Sequence, residues 1–346
     1  MKFPLADWIE SHAGCRHDLG TSGMIGAVGP PVPSAREIAT ADPDALRRRL
    51  AERLSIDPGR VFLTHGATEA NAAVLQFLAK RSDGVGRDCR VLRPEYPPLL
   101  DAAEWVGFRP VEREGPVAVA VTSQPRNPEG DLWDRERILR WIEGARDVLI
   151  DETFREFGGT PSLHALRSRG LWTTGSFTKF YAADQIRVGF ATVPEEETEP
   201  FARFHGLLYN GLPAYSVAAA EAALRSHERY RRDVGRILSA NRAAWSRAMP
   251  HHPVPVAPVA FDRSMPSGGG DLLADRCAER SILVCPGRYF GDPDGVRLCL
   301  TRPTFSRDLA AYLAVRDEGA GSVGVAPAGR GGRRRLDRPA APPPKR

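Results

Sequence analysis

Cysteine is scarce and dispersed in this sequence. The five present (Cys15, Cys89, Cys277, Cys285 and Cys299) are odd in number, far apart and form no Cys-x-x-Cys pair. That excludes a disulfide-stapled scaffold, argues against structural zinc and points to a reducing, cytoplasmic setting. The eight histidines never fall at metal-ligand spacing on one face, so no metal is expected. No apolar run approaches the roughly 18 residues that a membrane helix needs. The opening MKFPLADWIESH lacks the apolar core of a signal peptide. Nor is there a body-wide excess of one charge. The net charge is +5, but residues 317–346 carry seven Lys/Arg against three Asp/Glu, which accounts for +4 and leaves +1 for the rest. That end, closing in GRGGRRRLDRPAAPPPKR, is too rich in Gly, Pro and Arg to bury a core. Basic Gly-Arg tails can hold nucleic acid or membrane surfaces, but a solvated disordered end is the reading taken here, with neither expected as a partner.

What is present is ordinary globular material: 346 residues, 42% hydrophobic and 26% charged, enough for one large domain or a large and a small one. The first 40 residues read as irregular, dominated by DLGTSGMIGAVGPPVP. Asp42-Pro43 then opens the helix PDALRRRLAERL as an N-cap and first-turn pair. Val61–Leu63 is a short strand, and Ala67–Lys80 a helix with an apolar stripe at Ala70, Val74, Leu75 and Leu78. RVLRP reads as a strand, PPLLDAAEWVG as a helix, and VAVAVTSQ as a strand buried on both faces. Helix DRERILRWIEGA leads to strand DVLID, and strand LWTTGS enters a turn bearing Lys179. Strands alternating with helices indicate an α/β fold around a mostly parallel sheet. From Ala214 to about Arg247 the pattern is one long helix with a break near Gly235. Beyond it, strands VAPVAF, ILVC and VRLCLT with helix LLADRCAERS between them make a compact α+β unit. The expected division is an N-terminal arm over 1–40, a large domain over 41–245, a small domain over 246–316 and a basic tail over 317–346.

The chemistry gathers around TTGSFTKFYAADQIRVGFA, residues 173–191. Lys179 can form an imine with an aldehyde, and Ser176 three residues before it and Arg187 eight after it suit a phosphate dianion. Alone, such an arrangement is more often a surface lysine on a turn. Upstream, Gly66-Ala67-Thr68 lies between a strand and a helix, where small residues and a helix N-terminus admit an anion. Tyr96 follows a strand and precedes a helix, the position at which open α/β sheets bind ligands; it would stack on a flat ring or simply pack.

GSFTKFYAADQIRVGFA resembles the lysine segment of fold-type I pyridoxal-phosphate (PLP) enzymes of the aspartate aminotransferase superfamily. The likeness spans roughly residues 40–315 and is greatest to histidinol-phosphate aminotransferases and threonine-phosphate decarboxylases, with a likeness of the N-terminal stretch to the capreomycidine synthase group. It implies that fold, a Schiff base at Lys179, and a phosphate cup built from Gly66, Ala67, Thr68, Ser176 and Arg187. SQPRNPEG resembles the family's Asn-Pro-x-Gly turn, so Asn127 would donate to the PLP phenolic oxygen. Asp151, at the end of DVLID, would keep the pyridine nitrogen protonated. Arg297 resembles the arginine that grips the substrate carboxylate, and Arg288 would serve a distal substrate group or sit solvated on its turn. The resemblance implies an aminotransferase acting on a small amino acid and a 2-oxo acid, as a homodimer. A PLP decarboxylase or a lyase/cyclase of secondary metabolism is the alternative, and a non-catalytic binding protein a more distant one.

Three departures stand out. Phe154 replaces the usual tyrosine that bonds the cofactor's phenolic oxygen, Asp184-Gln185 replaces Pro-Gly, and no tyrosine near Thr40 matches the one a partner subunit usually donates.

Overall fold

The computed structural model describes residues 3–82, 86–167, 169–265 and 268–321. Twelve strands occur among them. They are β1 (His17–Asp18), β2 (Val61–Thr64), β3 (Asp88–Arg90), β4 (Arg109–Val111), β5 (Val117–Ser123), β6 (Ala145–Asp151), β7 (Leu171–Ser176), β8 (Gly189–Thr192), β9 (Val259–Asp262), β10 (Ile282–Leu283), β11 (Cys285–Pro286) and β12 (Val296–Cys299). Seven form one sheet in the order β2-β8-β7-β6-β5-β3-β4. Its pairings from β7 to β4 are parallel, and β8 runs antiparallel to both β7 and β2.

All seven residues of β5 are buried, as the β-branched run VAVAVTS requires of a central strand covered on both faces. Leu149 and Trp172 face one layer, with Phe77 of helix Ala67–Arg81 and Phe201. Val148, Ile150 and Leu171 face the other, with Trp133 and Ile138. The register of the central strands decides where chemistry can sit. Ser123 pairs with Asp151, Asp151 with Thr174, Ser176 with Gly189 and Gly189 with Thr64. Two neighbouring rows, Ser123–Asp151–Thr174 and Ser176–Gly189–Thr64, therefore bring together the carboxyl ends of β5, β6, β7 and β2, the edge at which open α/β sheets bind ligands.

A second sheet, β11-β12-β9, is antiparallel throughout. The two sheets meet at Gly130 (φ +81°), where a Cβ would lie 2.0 Å from the Val259 carbonyl oxygen. Only glycine fits that turn.

Four expectations need correction. The first 40 residues are not irregular. Pro4 starts helix Pro4–Ser11, and a capping box between Ser34 and Glu37 starts helix Ala35–Ala39. β1 pairs in parallel with β10, and Cys299 donates its backbone N–H to the Leu19 carbonyl at 2.7 Å, so the N-terminal stretch is tied to the C-terminal unit. The strand expected at RVLRP lies earlier, at Asp88–Arg90, with only the Val91 N–H still donating to the Val111 carbonyl at 3.0 Å. The long helix breaks at Ser226, not Gly235, into Ala214–Arg225 and His227–Ala248. Gly235 costs only about 1 kcal/mol of propensity, which buried Tyr230, Val234, Leu238 and Trp245 outweigh. Finally, the last helix runs Phe305–Gly321, so the tail expected from 317 begins inside it. Its remainder, 322–346, lies outside the described residues.

Candidate active site

Lys179 lies on the turn between β7 and β8, beside a cavity of about 200 Å³ at the carboxyl edge of the large sheet. The cavity is lined by Ala67, Thr68, Tyr96, Asn127, Asp151, Phe154, Ser176, Lys179, Arg187 and Arg297 among others. Ten of the twelve residues singled out from sequence thus converge there, and Gly66 sits directly behind Arg187. Arg288 does not join them. Its guanidinium stacks over Trp8 and Tyr289 and lies 3.6 Å from Asp271 and 3.5 Å from Asp275, outside the cavity.

The residues expected to hold an anion meet by close approach. Gly66 (φ +91°) precedes helix Ala67–Arg81, and a Cβ there would lie 2.9 Å from Arg187 Nη2. Glycine therefore lets the guanidinium lie against the helix start, whose first N–H groups have no partner within the helix. Gly189 admits the same approach from below, since its Cβ would lie 2.4 Å from the Gly66 carbonyl carbon. Ser176 Oγ accepts from the Thr178 N–H at 3.1 Å and lies 2.9 Å from Thr178 Oγ1, which holds its hydroxyl in place. Among the described residues Arg187 has neither a hydrogen-bond acceptor nor an acidic partner.

Asp151 is buried, 3% exposed. Asn71 Nδ2 donates to its Oδ2 and the Thr153 N–H to its Oδ1, each at 2.8 Å. Burial still dominates and raises its carboxyl above the ordinary range, while those hydrogen bonds pull the other way. Thr174 in turn donates to Asn71 Oδ1 at 2.6 Å. A cationic N–H facing Asp151 would supply the charge partner that it lacks.

Arg297 is 2% exposed and has no acidic partner among the described residues. It donates to the Gly20 carbonyl at 2.9 Å and to Asn127 Oδ1 at 3.2 Å, and its Nε is buried without a partner. The bond from Arg297 fixes the Asn127 amide with its Nδ2 free to donate into the cavity. A buried guanidinium with unused donors fits a carboxylate ligand. Burial pushes the Tyr96 phenol above its ordinary range and the Asp151 carboxylate adds to the rise, while Arg297, Thr68 and Arg187 restrain it. Phe154, 4% exposed, presents its ring where a tyrosine hydroxyl was absent from the sequence.

Several contributors were not singled out. Asn71 was legible as an amide among the apolar residues of the helix Ala67–Arg81, whose other amide, Gln76, is exposed. Glu95 was not: it is fully buried and accepts from the Ser123 hydroxyl, the Ser123 N–H at 2.9 Å and the Tyr96 N–H at 2.7 Å. Ser123 Oγ accepts from the Asn127 N–H at 2.9 Å, so Glu95 sets the Asn127 turn from beneath. The apolar wall of Phe3, Leu5, Ala6 and Ile9 comes from the N-terminal helix and the residue preceding it, a segment whose place no spacing reveals.

These features fit a phosphorylated pyridine aldehyde: an anion cup, a buried carboxylate for the ring nitrogen, an amide donor and a lysine. Among the described residues no three His, Cys, Asp or Glu gather as a metal site, and no helix is long and apolar enough to cross a membrane. The family model for aminotransferase class I and II matches residues 34–314. Capreomycidine synthase of Streptomyces vinaceus is 27% identical, the match covering 89% of this chain and 92% of that protein. Histidinol-phosphate aminotransferase 2 of Archaeoglobus fulgidus is 25% identical over 72% of this chain and 76% of its own length. Among solved structures, histidinol-phosphate aminotransferase of Sinorhizobium meliloti in complex with pyridoxal-5'-phosphate superposes with a TM-score of 0.69 at 17% identity, covering 92% of this chain and 98% of that one.

Proposed function

This chain belongs to the class I and II aminotransferase family, a PLP-dependent enzyme family, and from that premise we propose that Lys179 carries the cofactor and that a small amino acid is the substrate. The observation that carries the site assignment is the joint one: a lysine, a buried carboxylate with no cation beside it, and two arginines without acidic partners face one cavity. When bound, PLP supplies an aldehyde for an amine and a ring that withdraws electrons from the substrate Cα. Arg187, Ser176, Thr68 and the N–H groups after Gly66 hold its phosphate. Asp151 keeps a proton on the ring nitrogen. Asn127 Nδ2 donates to the phenolic oxygen, and Tyr96 covers one ring face. Lys179 Nζ moves a proton to and from the substrate Cα. Arg297 orients the substrate through its carboxylate, leaving the side chain toward the apolar wall from the N-terminal helix.

The same proposal includes a cofactor-binding part over 41–245, a smaller part over 246–316 and an arm before them, supported by the separate sheet β11-β12-β9. It also includes a homodimer, which light scattering tests. Adding PLP to the pure protein is expected to produce a visible band, and a panel of amino acids is expected to bleach it selectively. A protein that stays colourless with PLP overturns the reading. Arg297→Lys is expected to raise KM for the amino acid roughly 10- to 100-fold, the loss of one or two charge-assisted bonds, with PLP affinity nearly unchanged. Equal losses in both would mean that Arg297 does not serve the substrate.

A further inference from the structure

Asp184 stands five residues after Lys179, on a turn where Ala182 (φ +52°) and Arg187 (φ +47°) both occupy the left-handed region. That backbone folds Asp184 back on the lysine, and its Oδ1 lies 3.3 Å from Lys179 Nζ. Aspartates on turns usually accept from nearby backbone N–H groups. This one accepts from none among the described residues: Lys179 is its hydrogen-bond partner, and Oδ2 is buried without one. The pair is half-enclosed, with 29% of the lysine and 24% of the aspartate side chain exposed.

The enclosure comes from the N-terminal stretch. Met24 donates its N–H to the Lys179 carbonyl at 2.9 Å, and Gly23 passes over the pair. A Cβ on Gly23 would lie 3.1 Å from Asp184 Oδ2 and 3.4 Å from Lys179 Cδ. A carboxylate that spends its capacity on one nitrogen, roofed by a glycine that makes room for it, is placed to act on that nitrogen.

We propose that Asp184 is a positioning residue for the lysine nitrogen, keeping its carboxylate beside that nitrogen when the nitrogen bonds the cofactor. The inference rests on Lys179 being the cofactor lysine. An opposite charge within about 4 Å favours the protonated state of a nitrogen, and partial exposure reduces but does not abolish the effect. The other charged or titratable groups facing the cavity are Asp151 from β6, Tyr96 from the start of helix Pro97–Trp105, Arg187 from the same turn and Arg297 from β12. Ser22 and Gly23, from the N-terminal stretch, carry no charge. None of these changes in an Asp184 variant, so the difference from wild type isolates Asp184.

The test is a spectrophotometric pH titration of the PLP-loaded full chain. Asp184→Asn is expected to lower the pH midpoint of the lysine-bound cofactor's absorbance by roughly half a unit to one unit. Asp184→Glu, which keeps the charge, is expected to restore most of the shift. Circular dichroism checks that both variants fold. An unchanged midpoint in a folded, coloured Asp184→Asn overturns the inference and leaves Lys179 as the cofactor residue. Failure of wild type to take up PLP would instead overturn the Lys179 assignment beneath it.

Discussion

Lys179→Ala is expected to abolish the covalently held cofactor band and to lower turnover by about 10⁴-fold or more. Two roles are lost together. The nitrogen that bonds the cofactor is gone, and so is the base that handles the Cα proton, itself worth typically 10²–10⁴. No other amine can take over: the other cations lining the cavity, Arg187 and Arg297, are guanidinium groups that stay protonated and are poor nucleophiles. Borohydride treatment followed by peptide mass mapping checks the assignment directly. Wild type should carry the reduced cofactor on the peptide containing Lys179, and the variant should carry none. Because the Lys179 side chain bonds only Asp184 among the described residues, the fold should survive its removal, and circular dichroism of the variant should match wild type. A variant that still fixed the cofactor on another lysine would refute the role given to this turn.

Asp151→Asn is expected to cost roughly 10²–10⁴ in turnover, because an amide cannot hold a proton on the ring nitrogen as a carboxylate does. The Thr153 N–H would keep an oxygen on residue 151, while the Asn71 amide would have to flip to accept from the new amide nitrogen. Stability should respond in the opposite sense in the cofactor-free protein. Burial raises the Asp151 carboxyl above its unfolded value, so its contribution to stability is fully present below about pH 4 and is lost as pH rises through the folded value. Cofactor-free wild type should therefore lose melting temperature relative to the variant as pH rises from about 4 toward 7. Bound cofactor should narrow or reverse that difference, since it supplies the missing cation. Parallel melting curves at both pH values, with and without PLP, check both signs.

How much of this was legible before any coordinates depended on the kind of signal. Strands with continuous apolar runs, such as Val117–Ser123, declared themselves because both faces are covered. Lys179, Asp151 and Asn127 could be found because each ends or follows a central strand and the motifs recur in a recognisable order. Pairing register then carried them to one edge. Three kinds of feature stayed hidden. Glu95 is a buried carboxylate whose partners lie 27 and 28 positions away at Thr122 and Ser123, and no local pattern links them. The N-terminal helix is short, and its value comes from packing on distant Val284, to whose carbonyl Trp8 Nε1 donates at 2.7 Å. Arg288 looked like a substrate ligand by proximity to Arg297 in sequence, but it sits beyond β11, after the strand path has turned toward Trp8. The break at Ser226 was misread because a glycine in a well-anchored helix is cheap, while two helices can change direction at a serine without any glycine.

The pairing of β1 with β10 has a consequence for the order of events during synthesis. The seven strands of the large sheet are all present once residue 192 has emerged, and with them the edge that carries Asp151, Lys179 and Arg187. The stretch that roofs Lys179 precedes the sheet in the chain, yet its anchors are Leu283 and Cys299, nearly the last described strands to leave the ribosome. At the translation rates of roughly 5–20 residues per second, about 90 further residues separate an assembled sheet from a closed roof by several seconds. A sheet that assembled as its strands emerged would leave the lysine open to solvent through that interval, and cofactor could enter before the N-terminal segment is anchored over it.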